Sequence, residues 1–340
     1  MSDLFNKLLI LRTPKIGPAK YADLLKRVGS VGAVVDFLNP SQDARDAVMR
    51  EMERANDLNI KYISDDDDLY PNALRNMKNH PPVITARGNM KTLKKKSVSI
   101  VGTRHATANG MNFVADIAHR FAENNFAVVS GMAIGTDTAA HRGALRAEND
   151  SATIAVLAGG VDYVWPLENE ALYYDILARG VIISEMPVGF VPITTNFAQR
   201  NRIVAGMSDT FILGEADMKS GSMITARFAV DFGRDVWAIP SHPSDSRAMG
   251  PNSLIRTGAA KLCSGVSDFF VCENKSPSSK KISEKNETEN SLIDALGTIP
   301  VSESVLAQVV KKTVPEIKAE LVVLELQGIV RKVDGGYIRA

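Results

Sequence analysis

The sequence predicts an α/β protein built on a doubly wound parallel sheet, with a small helical domain before it and a winged helix after it. Three observations carry this. Six short runs rich in β-branched and apolar residues start at residues 97, 126, 153, 181, 210 and 235, spaced 25–29 residues apart. Helical patterns fill the gaps between them, as in Met111–Glu123 and Ser222–Phe232. A polar break at residues 273–290 then separates this region from a final stretch that is apolar and periodic again.

Residues 1–62 read as an N-terminal helical domain of helix-hairpin-helix or sterile-alpha-motif type. The cues are Pro14-Lys15-Ile16-Gly17-Pro18, Tyr21, Leu24-Leu25 and Gly29-Ser30. A DNA-binding hairpin has G-x-G at this place, and Lys15 stands in for the first glycine, so its amides approach a phosphate less readily. A structural or protein-contact role is expected. Between Ile60 and Ser97 the density of prolines and turn formers, among them Tyr70-Pro71 and His80-Pro81-Pro82, reads as irregular connection. The acidic run Asp65–Asp68 reads as a solvated loop, since four consecutive acids cannot all face one ion.

The core domain is expected over residues 63–272. Its runs, SVSIV, FAVVS, TIAVL, VIISE, TFILG and DVWAI, are nearly continuous in apolar residues, as for strands covered on both faces. Strand and helix alternating at this period implies βαβ units. Residues 273–290 contain a single apolar residue, Ile282, and read as a disordered linker. Residues 291–340 read as helices Ser291–Leu296, Ser302–Val310 and Val314–Gln327 and a hairpin around Asp334-Gly335-Gly336, a winged helix. Its third helix carries Glu316, Glu320 and Glu325 against Lys318. A groove-reading helix is normally basic. Ile317, Leu321, Leu324 and Leu326 have core spacing, so a protein-contact or regulatory module is expected, with Arg331 and Lys332 as the residual DNA contacts.

Composition excludes several classes. The 340 residues carry 40 Lys+Arg against 39 Asp+Glu, a net charge of +1, so any anion site must be local rather than a global field. Only Cys263 and Cys272 occur, which rules out a disulfide framework and a four-thiolate zinc site. The five histidines show no metal-ligand spacing, and no metal or cofactor is expected. No apolar run reaches membrane-spanning length, and MSDLFNKLLILRTPK lacks the features of a signal peptide. A cytoplasmic protein without membrane association is expected.

In an open parallel sheet the ligand site lies beyond the carboxyl ends of the strands. After the successive runs come Gly102-Thr103-Arg104, Ser130-Gly131 through Gly135-Thr136-Asp137, Gly159-Gly160 and Trp165-Pro166, Glu185-Met186-Pro187 with Arg200-Asn201-Arg202 further on, and Lys219-Ser220-Gly221-Ser222. Glycines let backbone N–H groups approach a ligand. Ser222 and Thr225 open one helix, Thr136 and Asp137 another, and helix N-termini favour anions. Arg104, Arg200, Arg202 and Lys219 supply four cations to one rim, so the reading is a phosphate-binding edge in a neutral protein.

Each piece also has a plainer reading. Gly102-x-Arg104 alone is a glycine turn with a solvent-facing arginine. Neither G-x-x-x-x-G-K-[ST] nor G-x-G-x-x-G is present. Asp137 with His141 reads as a cap beside a satisfied histidine, Glu185 as a strand-end hydrogen-bonding residue, Asn201 as structural, and Trp165 as packing.

Taken together, SIVGTRHAT, VSGMAIGTDTAAHRGAL, TIAVLAGGVDYVWPLEN, ISEMP, FAQRNRIVAGMSD, EADMKSGSMITARFAVDFGRDVWAIP and GPNSLIRTGA resemble the DNA-processing protein A (DprA/Smf) family in order and spacing, from Tyr62 to Phe270. Tyr70-Pro71-x-x-Leu74, His80-Pro81-Pro82 and Arg87-Gly88 are similar to the family's lead-in. The resemblance implies a Rossmann-like core that binds single-stranded DNA, protects it and loads RecA recombinase onto it during natural transformation, with no catalytic centre or cofactor. It also implies a homodimer through that domain. It implies that Arg104, Gly131, Gly135, Arg200, Asn201, Arg202, Lys219, Ser220 and Gly221 line the DNA pocket. Thr136 stands where the family has Ile, and Phe197-Ala198-Gln199 replaces the Phe-Pro that leads into Arg-Asn-Arg.

The competing reading is a nucleoside monophosphate hydrolase of the lysine-decarboxylase-like type, which shares a Rossmann arrangement. Those enzymes place glutamates where Ala226 and Arg227 fall here, which leaves no evident acid or base.

Overall fold

The structure is a computed structural model and describes residues 2–148, 152–270, 292–293, 295–297, 300–333 and 335–339. It divides into two compact units, Met1–Val271 and Cys272–Ala340. The expected linker 273–290 lies outside the described residues.

The first unit opens with four helices, α1 (Asp3–Arg12), α2 (Pro18–Val28), α3 (Val31–Leu38) and α4 (Gln42–Asp57). Ser2, Ser30 and Ser41 cap α1, α3 and α4 by accepting from first-turn amides. Phe5, Leu8, Leu9, Val34, Val35 and Val48 form their shared core, which also takes in Val83.

The segment expected to be irregular holds two strands, β1 (Lys61–Ser64) and β2 (Val83–Gly88), and a short helix, α5 (Asn72–Arg75). These strands were hidden because the runs are short, bounded by prolines, and in β2 carry no alternation: Val83, Ile84, Thr85 and Ala86 are all buried. The acidic run is also not simply solvated. The Lys7 ammonium, buried beneath α1, donates to Ser64 Oγ and Asp65 at 2.6 Å and to Asp66 at 3.1 Å, and His80 Nε2 lies 3.2 Å from Asp65. Burial opposes ionisation of Asp65, but the hydrogen bonds from His80 and Lys7 outweigh it and hold its pKa at about 2.

Then follow β3 (Ser97–Val101), α6 (Ala108–Glu123), β4 (Ala127–Ser130), α7 (Thr136–Leu145), β5 (Thr153–Val156), α8 (Glu170–Arg179), β6 (Val181–Ser184), α9 (Thr194–Gly206), β7 (Thr210–Leu213), α10 (Gly221–Asp231), β8 (Asp235–Ala238), α11 (Met249–Arg256) and the two-residue β9 (Lys261–Leu262). All six strands expected from the sequence are present. The sheet order is β1-β2-β6-β5-β4-β3-β7-β8-β9. Strands β3 to β9 are parallel, while β2 joins β6 antiparallel and β1 joins β2 antiparallel. The architecture is therefore a mostly parallel, doubly wound sheet with an antiparallel edge. Val101, Val129, Ile154, Val156, Phe211 and Leu213 face one side with Ile203, Met223 and Ala226 of α9 and α10. Val98, Ile100, Val128 and Ile212 face the other with Val114 and Ile117 of α6 and Ala140 of α7. Covering both faces explains why the runs read as continuous rather than alternating.

The second unit contains α12 (Glu303–Val310), α13 (Val314–Leu326) and a hairpin of β10 (Val330–Val333) and β11 (Gly336–Arg339), the winged helix that was expected. Ser291, Asp294 and Asp334 of the expected first helix and hairpin lie outside the described residues. Ile317, Leu321 and Leu324 are core, but Leu326 is 84% exposed and does not join them. Two of the three acids on α13 are engaged internally: Glu320 pairs with Lys312, and Glu316 accepts from the Thr313 amide and hydroxyl in a capping box.

Candidate functional site

The strand order reverses on either side of β3: the chain moves from β3 through β4 and β5 to β6, then returns to β7 at β3's other edge. Loops leaving β3 and β7 diverge to opposite faces there and leave a crevice. A cleft of about 460 Å³ occupies it. Its walls are the β3 end (Gly102–His105), the loop after β4 (Gly131, Ala133), the inner face of α9 and the start of α10.

The β3 loop is braced from behind. Thr103 donates its N–H to the Glu215 carbonyl at 2.6 Å, and Thr136 Oγ1 donates to the Thr103 carbonyl at 3.2 Å. Gly135, the N-cap of α7, sits at φ 81°, and a Cβ there would press on the Thr103 and Arg104 carbonyls. Arg104 itself projects into solvent with no carboxylate partner among the described residues. Its guanidinium lies 5.2 Å from the Trp165 ring centroid, and the Trp165 and Phe197 rings are 4.4 Å apart. Arg104 and Phe197 line the cleft, and Trp165 touches both from outside it, with its ring tilted 55° to that of Phe197.

The back wall holds two buried charged side chains, Arg200 and Asp137, which act on each other through space rather than by direct contact. Arg200 is only 7% exposed, and its Nη1 donates to the carbonyls of Gly131 and Val156. Asp137 accepts from the amides of Gly131 (3.1 Å) and Ala133 (3.3 Å). Burial pushes the Asp137 pKa up and that of Arg200 down, and each charge offsets the other's desolvation. The glycine-loop amides therefore point inward to Asp137, not outward to a ligand. His141, one turn along α7, is fully buried. Thr153 Oγ1 gives its proton to the Val128 carbonyl, so His141 Nδ1 must be the donor to Thr153 Oγ1 at 2.7 Å, with Nε2 bare and unpartnered. Burial, assisted by Arg200, lowers its pKa to about 3.

The last wall is the start of α10. Its N-cap, Ser220, does not bond the helix amides but pairs with Ser222 Oγ at 2.8 Å. The first-turn amides of Gly221 and Ser222 have no partner within the helix. At Gly221 a Cβ would meet nothing within 4 Å, so the glycine keeps the approach to these amides open. Asn201 Nδ2 donates to the Gly221 carbonyl at 3.3 Å and ties α9 to α10.

Of the residues singled out in the sequence, Arg104, Gly131, Asp137, Arg200, Asn201, Ser220, Gly221 and Ser222 line the cleft. Gly135 and Thr136 stand behind it. Lys219 is exposed on the loop just before α10. Arg202 is elsewhere: it pairs with Glu185 and donates to the Asn79 carbonyl at 3.1 Å, on the far side of α9. The four cations expected on one rim are thus dispersed. Arg200 and Arg202 sit two residues apart on a helix, about 200° around its axis, so they cannot share a face. Phe197 was missed as a wall, although it lies three residues before Arg200 and four before Asn201, on their face.

No described helix is long and apolar enough to cross a membrane. A model of the DNA recombination-mediator protein A family matches residues 61–273, and models of a DprA-like N-terminal HHH domain and a DprA winged helix domain match residues 2–59 and 276–336. The chain is 35% identical over 254 residues to Protein Smf of Synechocystis, covering 74% of this chain and 57% of that one, so it spans less than two thirds of that relative. It is 39% identical over 199 residues to the DNA processing protein DprA of Streptococcus pneumoniae, covering 58% and 70%. The X-ray structure of DNA processing protein A from Streptococcus pneumoniae superposes with a TM-score of 0.66 at 30% identity, covering 79% of this chain and 96% of that one. That of Helicobacter pylori, described for its single-stranded DNA binding mode, gives 0.57 at 30%, covering 62% and 93%.

Proposed function

The chain belongs to the DNA recombination-mediator protein A family, and from that premise we propose that it binds single-stranded DNA in the cleft between β3 and β7 without chemically altering it. The observation that carries this is the cleft itself, where Arg104 and Phe197, both backed by Trp165, share one hollow with the open amides of α10. The amides and Arg104 hold backbone phosphates, and Phe197 offers a face to a base. Both contacts tolerate any sequence. A duplex hides its base faces, so single strands are preferred.

Ten of the twelve residues drawn from the sequence serve this cleft, in three roles. Arg104, Ser220, Gly221 and Ser222 touch DNA; Gly131, Asp137, Arg200 and Asn201 shape the walls; Gly135 and Thr136 brace the β3 loop. Lys219 steers the strand from outside. Arg202 acts away from this cleft. The bound strand is handed to RecA recombinase by a homodimer formed through the Rossmann-like domain, in the cytoplasm, as the family resemblance implies. A nucleotide hydrolase would need a positioned carboxylate. Among the described residues lining the cleft that group is Asp137, which is held by two amides beneath the surface. Release of free base from nucleoside monophosphates would reinstate that reading.

The test is fluorescence anisotropy with labelled oligo-dT and its duplex, across a salt series. Tight, salt-sensitive binding of the single strand and weak binding of the duplex supports the proposal. Weak binding of both, unchanged by Arg104→Ala, overturns it.

A further inference from the structure

On the other side of α9 lies a second hollow, also of about 460 Å³, between the core and the turn joining α1 to α2. We infer that it is a second nucleotide subsite, into which the strand held in the first cleft continues. This rests on the single-strand reading above and adds a path to it.

The two hollows are joined by chain. Phe190 lines the second, Thr194 lines the first, and residues 191–193 cross between them. That ridge is apolar and uncovered: Val191 is 58% exposed and Ile193 63%. Helix α9 is the common wall, with Phe197, Arg200 and Asn201 on one side and Asn196, Gln199 and Arg202 on the other. Its spacing therefore serves two sites, which explains why Arg202 turns away from the first.

The second hollow has the chemistry a nucleotide needs. Lys15, Arg12 and Arg202 line it against one carboxylate, Glu185, which Arg202 already pairs. Arg12 is held by Glu51, but Lys15 is exposed with no carboxylate partner among the described residues. Lys15 sits at φ 66°, in the left-handed region, so the turn presents its side chain at a cost in backbone strain. Phe190, Pro14 and Pro187 form an apolar wall for a base, and the exposed Gln199 amide, whose Oε1 accepts from Asn196 at 3.2 Å, keeps its N–H₂ free for a base edge.

The experiment is oligo-dT binding as a function of length, from about 4 to about 20 nucleotides, the range of single-strand sites. It uses the full chain, Lys15→Gly and Phe190→Ala, with Arg104→Ala as the first-cleft control. Glycine relaxes the left-handed backbone while removing the charge, so Lys15→Gly does not threaten folding. Wild type is expected to gain affinity as the oligomer lengthens past the first cleft. Lys15→Gly should flatten the salt dependence of long oligomers by about 0.7 in log–log slope. Phe190→Ala should weaken long oligomers about five- to 150-fold, the worth of one stacked base. Short oligomers should bind both variants as they bind wild type. Long oligomers that bind Lys15→Gly and wild type identically, with the same salt slope, overturn the second subsite while leaving the first cleft standing. A wild type that binds no single strand of any length overturns the first reading and this one with it.

Discussion

The Arg200 guanidinium rests on the main-chain carbonyl of Gly131, in the space a Cβ at residue 131 would occupy. The two residues are matched: the arginine can seal the floor of the cleft only because residue 131 has no side chain. Gly131→Ala should displace the arginine and lower the melting temperature. Arg200→Met should cost about 1–3 kcal/mol, because it leaves the buried Gly131 and Val156 carbonyls without their donor and removes the charge that offsets the burial of Asp137. Chemical denaturation measures both. An Arg200→Met protein as stable as wild type would return Arg200 to the ligand-binding set.

Arg104 should behave in the opposite way. It is exposed and makes no ion pair among the described residues, so Arg104→Ala should leave stability within about 0.5 kcal/mol. The same change should weaken single-strand binding and reduce its salt slope by about 0.7, one phosphate's share. Titration at several salt concentrations separates this from a general loss of fold.

Phe197→Ala should weaken oligo-dT binding by about 1–3 kcal/mol with the salt slope unchanged, because stacking releases no counterions. Phe197→Leu should recover little, since it restores bulk without a π-face. Equal binding by wild type and Phe197→Ala would remove stacking from the site.

Acid should destabilise the fold in two stages. His141 ordinarily titrates near 6.5 but is held near 3 when folded, so the unfolded chain takes up a proton that the native state refuses. Stability from this group is complete above pH 6.5 and falls as pH drops towards 3, by about 3 kcal/mol at pH 4.5. His141→Asn, which can still donate to Thr153, should flatten that limb. Asp65 is depressed to about 2, so the stability from its Lys7 and His80 contacts is full above its ordinary 3.8 and is lost as pH falls through 2. Denaturant midpoints measured from pH 7 to pH 2 resolve the two.

What was legible in the sequence follows the physics of each element. The parallel strands could be read because burial on both faces writes long apolar runs, and the ligand edge because glycines and hydroxyls gather where those runs end. β1 and β2 could not: Lys61–Ser64 and Val83–Gly88 are short, lie among prolines, and join the sheet by antiparallel pairing, β2 on β6 and β1 on β2. The cations were legible as charges but not as directions. Helical phase sends Arg200 inward and Arg202 outward, and Asp137 claims amides that a linear reading offers to phosphate. Lys7 lies 58 residues from Asp65, so no local pattern marks the pair that makes the acidic run structural.

The nine-stranded sheet ends in β1 at one margin and the two-residue β9 at the other. Each margin carries a lysine, Lys61 and Lys261, and the latter is pinned to Asp235. Short, lysine-bearing margins resist the addition of a foreign strand. Extension of this sheet by a strand from another molecule is accordingly disfavoured at both of its margins.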